Sequence, residues 1–112
     1  GCPVGLIGLL SIDKKNNKAE YYVMMGNTDF KGKGIAKEAS RQIINYGFYE
    51  LGLNRIYLFT EVKNDIAQKL FERVGFTKEG CLRADLLSHG KFVDRYVYSI
   101  LKKDWEKVNG RG

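Results

Sequence analysis

Cysteine is scarce in this chain, and the two present, Cys2 and Cys81, stand far apart and outside any metal-ligand spacing. That argues against a disulfide framework and gives no metal site; both thiols are expected to be free and mostly buried. Apolar runs are short as well. None approaches the roughly 20 residues of a membrane helix, and nothing resembles a signal peptide, so a cytoplasmic location without membrane attachment is expected. Repeats, low-complexity segments and linkers are also missing, which with 112 residues points to a single domain over 1–112. There is no block of like charge. The net charge of +6 is spread along the chain, a pattern that favours small anionic ligands and gives little support to general nucleic-acid binding.

What is present is a change of period along the chain. Residues 4–12 form a continuous apolar run, 13–18 are polar, and 19–25 are rich in Tyr and Val, which predicts two antiparallel strands joined by a loop. From Ala36 to Leu51 the residues Ala36, Ala39, Ile43, Ile44, Gly47, Phe48 and Leu51 recur in steps of three and four, a helical stripe stopped by Gly52. Residues 55–62 have the composition of a buried strand. Asn64 or Asp65 then caps a second helix with Ile66, Ala67, Leu70, Phe71 and Val74 on one face and Gly75 at its end. Residues 82–87 and 92–101 read as a terminal hairpin around 88–91, and 102–112 as a tail. The expected order is ββαβαββ, an α/β (α+β) fold with a mixed, mostly antiparallel sheet flanked by helices.

Between the second strand and the first helix lies Gly26-Asn27-Thr28-Asp29-Phe30-Lys31-Gly32-Lys33-Gly34-Ile35-Ala36-Lys37. Gly32 and Gly34 carry no side chain to obstruct a ligand, and their backbone freedom lets successive N–H groups turn toward one anion. The helix that follows adds unpaired first-turn donors, and Lys31, Lys33 and Lys37 add positive charge. A Walker A loop is absent. The dinucleotide fingerprint fails at its third glycine, where Lys37 stands, although Glu61 lies at a loosely suitable distance downstream.

Taken with Asn64, with Ala67-Gln68-Lys69-Leu70-Phe71-Glu72-Arg73-Val74-Gly75-Phe76 and with Glu79-Gly80-Cys81-Leu82-Arg83, this loop resembles the GNAT N-acetyltransferases. The nearest resemblance is to the branch acting on ribosomal-protein N-termini, polyamines and amino sugars. It implies acetyl-coenzyme A as cosubstrate, no metal, and a primary amine on a small molecule or peptide as acceptor. It also implies that Lys31, Gly32, Lys33, Gly34, Ile35, Ala36 and Lys37 bind the pyrophosphate, largely through the backbone. Asn64 would meet the pantetheine arm, and Met24 and Met25 would lend backbone groups to the pantetheine and thioester.

Two departures from the family pattern stand out. Phe71 occupies the position where many relatives carry a proton-donating Tyr, although another Tyr or a water can substitute. The chain also lacks the strand, two helices and strand that usually precede residue 4, so it is expected to be truncated, a fragment, or completed by a partner, a second copy included. Glu20 is the candidate catalytic base, because a neutral amine must form and this acid faces the family's cleft; Asp94 and Glu79 are weaker candidates. His89 is expected in a polar turn, and Tyr96 and Tyr98 as packing residues. The alternatives are a noncatalytic coenzyme A binding module and, with less support, a basic nucleic-acid-binding domain.

Overall fold

The computed structural model describes residues 5–25 and 35–109. Strands β1 (Gly5–Asp13) and β2 (Lys18–Met25) form an antiparallel hairpin. Its turn is closed by Asp13, whose Oδ1 accepts the N–H groups of Lys15 and Asn16, each at 3.0 Å. Helix α1 (Ile35–Asn45) runs into a π-helical turn at Tyr46–Glu50. Strand β3 (Arg55–Glu61), helix α2 (Asp65–Val74), strands β4 (Thr77–Ser88) and β5 (Lys91–Leu101) and helix α3 (Lys102–Asn109) complete the order. The sheet runs β1-β2-β3-β5-β4, and every neighbouring pair is antiparallel except β2 and β3. The mixed, mostly antiparallel α/β fold with its ββαβαββ order is thus present, with α3 added at the end.

Alternation along the strands decides which side is covered. In β3, Ile56, Leu58 and Thr60 are buried while Arg55, Tyr57, Phe59 and Glu61 are half-buried on the opposite side. The buried side joins Ala19 and Tyr21 of β2 and Tyr98 and Ile100 of β5 to Ile44 and Phe48 near α1 and to Ala67, Leu70, Phe71 and Val74 of α2. At about 1.5–3 kcal/mol for each large apolar side chain, this layer is the main favourable term in the fold. Gly75 ends α2 at a φ of 122°, and its N–H donates to the Phe71 carbonyl at 3.1 Å.

Four expectations need correction. Ile66 is 62% exposed, because the α2 stripe is 67, 70, 71 and 74 and a residue one position earlier lies about 100° round the helix. Leu51 is exposed and Leu53 is buried instead, since the wider π turn shifts the phase of the helical stripe. Cys81 is exposed; it lies on β4, the outer strand, where only one neighbour limits solvent access, while Cys2 lies outside the described residues. The segment read as a tail is helical from 102 to 109. Trp105 anchors it at 0% exposure, packing on Phe48 and donating its indole N–H to Asn45 Oδ1 at 2.6 Å, with the Arg41 guanidinium over its ring.

Candidate active site

The one parallel pairing in the sheet is also its shortest. β2 and β3 pair only through Lys18, Ala19 and Glu20 against Arg55, Ile56 and Tyr57, while Tyr21 to Met25 stay paired with β1 on their other side. Past Glu20 the two strands part, and a cleft of about 260 Å³ opens between them. Its walls carry side chains from both sides of the sheet. Tyr21, Val23, Leu58, Thr60, Ala67 and Phe71 face it from the helix side, and Glu20, Tyr22, Phe59, Glu61 and Arg95 from the other. Among the described residues, the backbone groups of β2 that point away from β1 have no strand partner along this stretch, so an extended ligand laid in the gap would meet ready donors and acceptors.

The rim of the cleft is rigidly held. Asn64 caps α2 by accepting the Ala67 N–H at 3.1 Å, and its own N–H donates to the Glu61 carbonyl at 3.0 Å. Gln68 donates from Nε2 to the Val62 carbonyl at 2.9 Å. Asn64 is therefore both a helix cap and a lining residue of the cleft.

Of the three carboxylates considered as bases, only Glu20 lines the cleft. Glu79 is engaged elsewhere: Arg55 donates to both of its oxygens at 2.7 and 2.9 Å and the Ser99 hydroxyl donates at 2.6 Å. The Arg55 guanidinium, followed by Ser99, holds its carboxyl down at about 2. Asp94 accepts the Ala84 N–H at 2.7 Å and so stabilises the left-handed Ala84, at a φ of 50°, inside the register shift of β4. Both weaker candidates thus serve the fold.

The residues missed at the sequence level are those that long-range pairing brings to the cleft. Arg95 sits directly opposite Glu61 across the β3–β5 pair. It is drawn away from that partner by Asp85, which accepts from Nε at 2.8 Å and from a terminal nitrogen at 2.6 Å, and it stacks over Phe59 at 4.6 Å. Glu20 and Glu61 form no ion pair among the described residues, which leaves two free carboxylates on the non-helix side of the cleft.

Phe71 lines the cleft at 4% exposure and touches Tyr21, Phe76 and Tyr98 ring to ring. The hydroxyls near it are occupied. Tyr21 shares a hydrogen bond with Ser40, and burial raises its pKa. Tyr98 donates to Glu72 at 2.9 Å, and burial, then Glu72, raises its pKa. Tyr22 extends over Gly8, where a Cβ would come within 2.6 Å of the hydroxyl. Tyr96 and Tyr98 pack, and His89 lies exposed in the β4–β5 turn, as expected. Lys31, Gly32, Lys33 and Gly34 lie outside the described residues. Ile35 and Ala36 open α1 and Lys37 is exposed on its first turn; Met24 and Met25 are paired with Leu6 and Gly5 through the backbone of β2. Among the described residues no group of acidic, His and Cys side chains is arranged to hold a metal, and no helix is long and apolar enough to cross a membrane.

Residues 1–77 match the family model described as an acetyltransferase (GNAT) domain. Over 106 residues the chain is 40% identical to the putative ribosomal N-acetyltransferase YdaF of Bacillus subtilis (strain 168), covering 95% of this chain and 57% of that protein. Among solved structures, a probable acetyltransferase superposes with a TM-score of 0.86 at 39% identity, over 94% of this chain and 59% of the other. A dodecameric spermidine N-acetyltransferase from Vibrio cholerae superposes with a TM-score of 0.83 at 29% identity, over 99% of this chain and 63% of the other. The chain therefore spans about 60% of the length of these relatives.

Proposed function

Because this chain belongs to the GNAT acetyltransferase family, we propose that it transfers an acetyl group from acetyl-coenzyme A to a primary amine. The observation that carries the reading is the parting of β2 from β3. A sheet gives up backbone pairing in its middle only where something else takes those groups, and the gap has side chains from both faces on its walls. A thioester can thus enter from one side of the sheet and an amine from the other. The site fits the donor: free β2 backbone groups suit the amide-bearing pantetheine arm, and Asn64 lies at the head of α2 beside it. Lys31, Gly32, Lys33, Gly34, Ile35, Ala36 and Lys37 would hold the pyrophosphate through backbone N–H groups.

When bound, acetyl-coenzyme A supplies an activated acyl carbon and a thiolate leaving group. The chain's own residues do the rest. Glu20 accepts a proton from the incoming ammonium, directly or through water, so that the amine lone pair is free to attack. The β2 backbone near Met24 and Met25 directs an N–H at the carbonyl oxygen, where negative charge grows as the C–N bond forms. The attacking nitrogen would lose its second proton to water and the departing thiolate would take one from water, since Phe71 has none to give and the Tyr21 and Tyr98 hydroxyls are engaged. Replacing Glu20 by Gln tests this: with an alkyl amine as acceptor, transfer at neutral pH should fall on the order of 100-fold and recover as pH approaches that amine's pKa of about 10. Unchanged rates in the Gln variant would remove Glu20 from the mechanism.

A second reading, a noncatalytic coenzyme A binding module, is favoured by the hydroxyl-free Phe71 and the occupied tyrosines around it. Amine-dependent release of thiol separates the two.

A further inference from the structure

Gly8 has a reason to be glycine that its backbone does not supply. It lies in the interior of β1 and outside the left-handed region that favours glycine, and strand interiors disfavour this residue. What leaves no room for a side chain is Tyr22, its cross-strand partner on β2. A Cβ at position 8 would come within 2.6 Å of the Tyr22 hydroxyl and 2.9 Å of its Cε1 and Cζ. The far end of the ring therefore lies over β1 and covers Gly8, which is buried. On the other side of Tyr22 there is no strand: β3 leaves β2 after Glu20, and Tyr22 lines the cleft that opens there. The two walls of this half of the cleft are held differently. Across the gap, Phe59 stands edge-on to Tyr57 at 5.8 Å with the Arg95 guanidinium over it at 4.6 Å, and Arg95 is tied to Asp85. Tyr22 makes no hydrogen bond, ring-to-ring contact or cation contact among the described residues, and rests on Gly8 instead.

We infer that Gly8 determines acceptor specificity: by seating the Tyr22 ring over β1, it keeps the mouth of the cleft beside Glu20 wide enough for an amine on a branched or ring carbon. The inference rests on the amine-acetylating reading above. Glu20 and Tyr22 are two residues apart on one strand and so share a face, which puts the ring next to the proposed base. A side chain at position 8 takes the seat. Aromatic side chains have few staggered rotamers, and the one that leaves β1 turns the ring toward the side where β3 is missing. An amine on an unbranched chain passes the narrowed mouth, while one on a ring carbon meets Tyr22.

The test uses the intact chain with two alkyl amines of matched basicity, propylamine and cyclohexylamine, and measures kcat/KM for acetylation and, with coenzyme A present, binding. Gly8→Ala should lower the cyclohexylamine-to-propylamine ratio on the order of tenfold, mostly through KM, and its crystal structure should show the Tyr22 ring turned into the cleft. Adding Tyr22→Ala should restore the ratio, which a mere loss of strand stability would not allow. Should Gly8→Ala fail to fold, Tyr22→Trp, whose larger ring exceeds the seat over Gly8, carries the same expected fall. An unchanged ratio, a ring that stays over β1 or turns to solvent, or a lowered ratio that Tyr22→Ala leaves unrestored would overturn the proposal. Acetylation of both amines at a ratio that no variant moves defeats this proposal alone; a shifted binding ratio without product defeats the transferase reading and leaves the role of Gly8 standing.

Discussion

Phe71 concentrates the chemical question into one side chain. It is packed between Tyr21, Phe76 and Tyr98 yet reaches the cleft, so Phe71→Tyr adds one hydroxyl at the edge of a packed cluster. The variant is expected to fold and either to raise turnover or to change the high-pH limb of the rate profile. Identical profiles for the two proteins would show that no proton is needed from that position. Glu79 supplies a prediction of a different kind. Its folded pKa, about 2, lies below the ordinary 4.5, so its contribution to stability is complete above about 4.5 and is lost as pH falls toward 2. The Arg55–Glu79 pair is partly solvent-exposed, and about 1 kcal/mol or less is expected of it. Arg55→Met should therefore lower stability to urea at pH 7 by that order and by much less near pH 2. An equal loss at both pH values would assign the effect to the guanidinium lying over the Tyr57 ring.

At the scale of elements, Trp105 is the fully buried side chain of α3. It makes its hydrogen bond to Asn45, so Trp105→Ala should cost about 3–5 kcal/mol by chemical denaturation; a loss under 1 kcal/mol would mean that α3 is not fixed by this contact. The helix was hidden in the sequence because Lys102 to Asn109 are mostly polar and their one large apolar residue shows no period of its own. The hairpins, β3 and α2 were legible, since each carries its own alternation, stripe or cap: Asn64 and Gly75 bracket α2 as their residue types suggest. Leu51 and Ile66 were misread because a stripe identifies a face only to within one residue, and a π turn alters its phase. Glu20 was legible as a cleft residue through the family pattern. Arg95, Asp85 and the freeing of Glu61 were not, because they follow from a cross-strand register and an ion pair between β4 and β5 that no local signal records.

The whole molecule divides its work across the sheet, with a packed helical layer on one side and, on the other, a half-buried field of Tyr22, Tyr57, Phe59 and Arg95 around the cleft. β1 is an outer strand, with Leu10 and Ile12 exposed. We propose that a second copy of the chain covers this region; sedimentation should find a dimer or larger species, and a stable monomer with freely exchanging β1 amides would contradict it. Donor binding is expected to raise the unfolding temperature, and Gly34→Val to erase that rise by filling the phosphate loop while leaving the chain folded. A folded Gly34→Val protein with unchanged affinity for coenzyme A would remove the loop from the site. The most direct test of the account measures free thiol and N-acetylated amine together in one reaction of acetyl-coenzyme A with an amine acceptor. The account predicts that the two appear in equal amounts and that both vanish without the amine. Tight binding of acetyl-coenzyme A with no amine-dependent thiol release would contradict it.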